Sequence, residues 1–294
     1  MPMQITQLSD AIRRTRRIAV GEFDGVHVGH RAVIAGNDTV LTFEPHPMTV
    51  LRPSAAPKLL TSLDLKSELM AALGVEELVI VPFDEDFARQ SASEFIDRVL
   101  VERLGATHVS VGTNFRFGRS AGGTTELLRA DPRFQARVVP LVEAEGAIVS
   151  SSRIRHLIFD GQVEQAADLL GRSFRVRGEV VSGDRRGREL GFPTANLVPD
   201  PGLVCPGSGV YACRVGNHMA AVNVGVRPTF SDGQGLLVEA FLLDFSGDLY
   251  GRTLTVEFVA RLRDERRFTG IDPLVTQMSQ DVERARELLG SAAA

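Results

Sequence analysis

The constraint that most limits what this chain can fold into is a change of hydrophobic pattern near residue 172. Before it, short apolar runs alternate with segments of helical period. Arg17-Ile18-Ala19-Val20 ends at Gly21, and Thr39-Val40-Leu41-Thr42-Phe43 is stopped by Pro45 and Pro47. Residues 63–73 and 92–104 carry helical spacing, with Gly74 and Gly105 as stops and Ser91 or Ser93 as a cap for the second. Residues 78–82 and 107–111 read as strands. Strands alternating with helices imply a parallel sheet covered by helices. After residue 172 come short β-rich runs at 175–181, 210–215, 220–224, 237–243 and 253–258, separated by turn signals such as Gly183-Asp184 and Ser246-Gly247-Asp248. That spacing predicts an antiparallel barrel or sandwich. A closing helix is expected over 272–289 and a helical connector over 152–171. The 294 residues suit two domains, placed here at 1–171 and 172–294.

Charge excludes one class of partner. The net formal charge is −4, with 18 basic and 22 acidic residues in 1–171 and 15 of each in 172–294. Neither half offers the basic field that nucleic-acid binding needs. Only two basic residues are lysines, Lys58 and Lys66, and neither follows a glycine. A Walker A loop is therefore absent, and any nucleotide phosphate must be held by other groups. No run of about 18 apolar residues predicts a membrane span. Arg13, Arg14, Arg16 and Arg17 precede no apolar stretch of signal-peptide kind and are expected to form a solvated helix face. Cys205 and Cys213 lack Cys-x-x-Cys spacing, so a reducing, cytoplasmic setting is expected.

Two segments carry chemistry. Gly21-Glu22-Phe23-Asp24-Gly25-Val26-His27-Val28-Gly29-His30 follows the first strand. Glycines permit a close turn, and a helix starting there presents backbone amides to an anion. His27 and His30 can point into one concavity, where imidazole N–H groups would hold phosphate oxygens or, with a third ligand, a zinc ion. In the second half, Gly183, Gly187 and Gly191 punctuate a loop that ends in Gly191-Phe192-Pro193-Thr194-Ala195-Asn196. Backbone amides there could wrap phosphates, while the Thr194 hydroxyl and Asn196 carbonyl oxygen suit Mg²⁺. Glu239 lies mid-strand in an apolar run, and strand alternation puts it on the solvent face.

His27-Val28-Gly29-His30 resembles the nucleotidylyltransferase signature, and Val149-Ser150-Ser151-Ser152-Arg153-Ile154-Arg155 is similar to that superfamily's second motif. Leu41-Thr42-Phe43-Glu44-Pro45-His46-Pro47, Val111-Gly112-Thr113-Asn114-Phe115-Arg116-Phe117-Gly118 and the Gly-Phe-Pro-Thr-Ala-Asn string narrow the likeness. Together they resemble the prokaryotic bifunctional riboflavin kinase/FAD synthetases over nearly the whole chain. The resemblance implies a Rossmann-like nucleotidylyltransferase domain followed by an antiparallel β-barrel kinase domain with a terminal helix.

It implies ATP, riboflavin, FMN and FAD as substrates or products, with Mg²⁺ as cofactor. It assigns catalysis to Glu239, His27, His30, Asn114 and Arg155. ATP would meet Gly21, Phe23, Asp24, Gly29, Ser151, Ser152, Gly183, Gly187, Gly191 and Thr194. The flavin would meet Phe43, His46, Pro47, Phe117 and Arg263, and the metal Thr194 and Asn196. Small-molecule substrates are the expected partners, with no nucleic acid or membrane, and self-association is open. The chain departs from relatives between His30 and Thr42, where about ten residues of a full helix are missing. Little more than one turn is expected there. The alternative is therefore a riboflavin kinase alone, with a first domain reduced to flavin or nucleotide binding. A flavin-sensing regulator without turnover is a third reading, weakened by the lack of a basic DNA-binding element.

Overall fold

A computed structural model describes residues 3–182, 191–227 and 235–291, and the chain divides between Ser151 and Ser152 into two compact units. In the first unit, six parallel strands form one sheet, its four central ones built from apolar runs and largely buried. The six are β1 (Gln4–Gln7), β2 (Arg16–Val20), β3 (Thr39–Glu44), β4 (Glu77–Pro82), β5 (Ala106–Gly112) and β6 (Gln135–Val139), in the order β1-β4-β3-β2-β5-β6. Alternate residues serve opposite faces. Ile18, Leu41, Val79 and Val109 pack to one side, and Ala19, Val40, Leu78 and Ile80 to the other. Each fully buried Leu, Ile or Val contributes about 1.5–3 kcal/mol.

The strands after β4 lie on the opposite side of β2 from β3, so chain order reverses beside β2. In open α/β sheets that reversal opens a crevice at the carboxyl ends of the strands. The helix Leu63–Ala72 starts on a Ser62 cap, and Ser91 with Glu94 forms a capping box ahead of the helical turns that end at Arg103.

The arginine cluster corrects the expectation of a solvated helix face. Arg16 opens β2 and is 1% exposed. Its guanidinium donates to the Ile12 and Leu104 carbonyls and to the Glu77 carboxylate, which Arg14 also reaches. Burial disfavours the Glu77 charge, but hydrogen bonding to Arg16 and the Arg16 and Arg14 charges prevail and lower its pKa. Arg17 donates to the Gly36 carbonyl.

A short hairpin, β7 (Glu143–Ala144) and β8 (Ala147–Ile148), follows β6. The second unit is a closed antiparallel barrel of β9 (Phe174–Val181), β10 (Ala195–Pro199), β11 (Gly209–Val215), β12 (His218–Arg227), β13 (Gly235–Leu242) and β14 (Thr253–Arg263), ordered β10-β13-β12-β11-β14-β9. Leu197, Tyr211, Val222, Val224, Val238, Ala240 and Phe258 fill the interior. The helix Ile271–Ser291 covers part of the outer face through Ala285 and Leu289 against Ala212. The segment expected as a connector forms two helices, Ser151–Phe159 and Val163–Leu170, parted at Gly161, whose φ is +74°. Glu164 of the second accepts from the Arg261 amide of β14 at 2.8 Å.

Candidate active sites

The turn after β2 is held from several directions. Phe23 and Val26 have φ of +50° and +43°, left-handed values that cost about 1–3 kcal/mol each for a residue with a Cβ. The Asp24 carboxylate accepts from the Leu60 amide at 2.8 Å and the Thr61 amide at 3.2 Å. The Asp24 carbonyl accepts from the Ser151 hydroxyl at 2.9 Å, and Thr61 Oγ1 accepts from the Gly25 amide at 3.2 Å. The Glu22 carbonyl accepts from Thr42 Oγ1 at 3.1 Å and from Lys66 Nζ at 3.0 Å. Such cross-bracing fixes a strained backbone next to chemistry.

The histidines leave this turn as a stacked pair. His27 caps the helix Val28–Ile34, its Nδ1 accepting from the His30 amide at 3.2 Å. The two rings lie 3.5 Å apart with planes 18° from parallel, and Phe23 meets the His30 ring edge-on. An accepting Nδ1 places the His27 proton on Nε2, ready to donate. Gly29 makes room for the fold-over: a Cβ there would sit 3.1 Å from His27 Cε1.

Burial lowers the His27 pKa from 6.5 to about 4. Burial first, then the His27 and Lys66 charges, hold His30 well below its ordinary value. Burial pushes Glu22 the other way, from 4.5 to about 8, against the opposing pull of Lys66 and with help from Asp24 and Glu44. The helix runs for seven residues, closer to two turns than the single turn expected. Its His30 amide is committed to His27 and is not left open to an anion.

The other expected groups of this half follow the carboxyl ends of neighbouring strands. His46 and Pro47 follow β3, with His46 Nδ1 accepting from the Met48 amide at 3.1 Å. Asn114 follows β5 and is exposed. Phe43 and Phe117 are buried in one aromatic cluster with Phe87 and Phe95. Ser152 is exposed and Arg155 half-buried on the helix Ser151–Phe159. The sequence alone assigned no role to Glu22 within the turn, and none to Thr42, Thr61 and Lys66, which brace it. The scarcity of lysine was the one signal that could have singled out Lys66.

In the barrel, register aligns Asn196 of β10, Glu239 of β13 and Asn223 of β12 in one row. Their neighbours Leu197, Val238, Ala240, Val222 and Val224 face inward, so the row is on the outer face, as alternation predicts. Asn223 Nδ2 donates to Glu239 Oε2 at 3.4 Å. Asn196 is 6% exposed, yet its Oδ1 is buried without a hydrogen-bond partner among the described residues. An orphaned oxygen of this kind costs about 1–3 kcal/mol and fits a hard cation such as Mg²⁺. Thr194 lies two positions earlier, beyond the strand, and Gly191 takes a φ of +85°. Gly183 and Gly187 lie outside the described residues. Arg263 grips Asp281 through Nε at 2.9 Å and Nη2 at 2.7 Å and lies over the Phe268 ring.

Two family models match in the order of the two units. The FAD synthetase model covers residues 9–153, and the riboflavin kinase model covers 170–289. A bifunctional riboflavin kinase/FMN adenylyltransferase of Listeria monocytogenes is 37% identical over 286 residues, 92% of this chain and 91% of that one. The chain belongs to this bifunctional family. The member from Escherichia coli K12 is 36% identical, with 97% of this chain and 96% of that one covered. A crystal structure described as a macrolide-efflux protein from Streptococcus pneumoniae superposes with a TM-score of 0.88 at 31% identity, over 97% of this chain and 99% of that one. Among the described residues here, no helix is long and apolar enough to cross a membrane. Both family models and the bifunctional relatives favour the bifunctional reading over a kinase alone.

Proposed function

We propose that the chain makes FAD in two ATP-dependent steps, the barrel phosphorylating riboflavin and the parallel-sheet unit adenylylating the FMN. Family membership with both domain models present carries the activity. The functional domains are assigned as 1–171 and 172–294.

In the kinase step the riboflavin 5′-hydroxyl attacks the γ-phosphorus of ATP, and ADP leaves. Phosphoryl transfer is mainly positioning and charge neutralisation, with one proton to remove. Glu239 is the proposed base, held in its row between Asn196 and Asn223. Thr194 and Asn196 would hold Mg²⁺, which when bound neutralises phosphate charge. Gly183, Gly187 and Gly191 would approach the ATP phosphates. Arg263, tied to Asp281, would close the flavin end.

In the adenylyl step an FMN phosphate oxygen attacks the α-phosphorus of ATP, and pyrophosphate leaves. No proton must be taken from that nucleophile. The need is for donors where charge builds, and two neutral imidazoles supply them. His27 and His30 would donate to phosphate oxygens, joined by Asn114, Ser151, Ser152 and Arg155. Gly21, Phe23, Asp24 and Gly29 would shape the ATP side of the turn. Phe43, His46, Pro47 and Phe117 would wall the flavin. The substrates are small molecules, and a cytoplasmic setting is in keeping with a sequence of only two cysteines, Cys205 and Cys213, both buried.

Glu239→Gln tests the assignment of base. The variant should lose at least about 100-fold in FMN formation while still converting supplied FMN to FAD. Wild-type kinase activity would remove Glu239 from that role.

A further inference from the structure

Lys66 is one of two lysines in the chain and is 4% exposed, on the helix Leu63–Ala72. Burying an ammonium costs several kcal/mol unless charges and hydrogen bonds offset it. Among the described residues, the one hydrogen bond of its Nζ runs to the Glu22 carbonyl at 3.0 Å. An ammonium has three donors, so this is a sparse environment for a structural lysine. The carbonyl it holds begins the strained turn that ends at the histidine pair.

We propose that Lys66 is a positioning residue for adenylyl transfer, its buried ammonium fixing the Glu22 carbonyl so that the turn presents the His27–His30 pair in its stacked arrangement. This rests on the reading of the first unit as the adenylyltransferase.

The charges around it suit that role. Glu22 faces Lys66, Asp24 and Glu44, while His30 faces His27 and Lys66. A fixed cation beside His30 opposes its protonation. That matters because a proton on His30 would put a positive charge against the stacked His27 ring, 3.5 Å away, and a charged pair of stacked rings would repel. Lys66 thus acts on the reaction through the histidines, with no contact of its own to substrate.

The test uses the full chain carrying Lys66→Met or Lys66→Arg. FAD formation from FMN, ATP and Mg²⁺ is followed from about pH 3 to about pH 9, so that the window includes the acid limb, and riboflavin phosphorylation is measured on the same preparations. Lys66→Met should lower kcat for FAD formation by about 10- to 100-fold, with KM for ATP within about threefold. The acid limb of its pH profile should rise by about half a pH unit or more, because His30 gains protons more readily. Riboflavin phosphorylation should be unchanged. Lys66→Arg keeps the cation and should stay within about tenfold of wild type with an unmoved limb.

A Lys66→Met enzyme with wild-type kcat would overturn the proposal. So would a lower kcat with the acid limb unmoved, which marks a purely structural lysine. If Lys66→Met does not fold, Lys66→Arg decides, and a larger loss or a shifted limb counts against the idea. A wild-type protein that forms no FAD would refute the adenylyltransferase reading instead.

Discussion

At the scale of single residues, burial in the turn after β2 disfavours the protonated form of two histidines. His27 protonates near 4 in the folded chain instead of 6.5. The unfolded chain then binds the extra proton between those values, so this contribution to stability is present above pH 6.5 and lost as pH falls towards 4. Glu22 runs oppositely. Its folded carboxyl keeps its proton up to about 8 rather than 4.5, so its contribution is present below 4.5 and lost as pH rises through 8. Glu22→Gln should therefore gain on the wild type between pH 6.5 and 8, by on the order of 2 kcal/mol, read from denaturant unfolding at the two values. A parallel pH dependence in the two proteins would refute the raised carboxyl. Gly29→Ala should push the His27 ring off its cap and reduce FAD formation by on the order of 100-fold while riboflavin phosphorylation persists. Both histidines and Gly29 were legible from spacing. Glu22 was not, because a carboxylate beside a glycine reads as surface until the fold buries it.

At the scale of elements, the parallel sheet and the barrel were readable wherever apolar periodicity was strong, as in β2, β3, β4 and β13. Polar strands escaped: β1 is Gln-Ile-Thr-Gln and β6 opens with Gln-Ala-Arg, with pairing supplied by neighbours distant in sequence. β10 was hidden because its residues belong to a string that reads as a loop. The arginine cluster misled for a related reason. Its charge is neutralised by Glu77, 61 residues away from Arg16, and only the fold joins them. At the far end of β14, Asp281 holds Arg263 from the terminal helix. Asp281→Ala leaves that guanidinium without its carboxylate and should cost about 3–5 kcal/mol, seen as a lower denaturation midpoint. A loss below about 1 kcal/mol would mean the pair behaves as an exposed one.

At the scale of the whole molecule, the change of pattern near residue 172 carried the largest inference, two architectures in succession. The compact bodies divide at Ser151/Ser152, and the helices Ser151–Phe159 and Val163–Leu170 bridge the interval to β9. No periodicity argument could have placed that division, because both helices are amphipathic and either unit could have covered them. The scarcity of lysine also gains meaning at this scale. Under the proposed function, phosphate handling would fall to histidine and hydroxyl groups in one unit and to an oxygen-rich strand row in the other, while Lys66 is buried behind a turn. The most direct measurement is chromatographic separation of products after riboflavin, ATP and Mg²⁺ are incubated with the pure protein. FMN should appear first and FAD should follow at its expense. Accumulation of FMN with no FAD, or consumption of neither riboflavin nor ATP, would contradict the account.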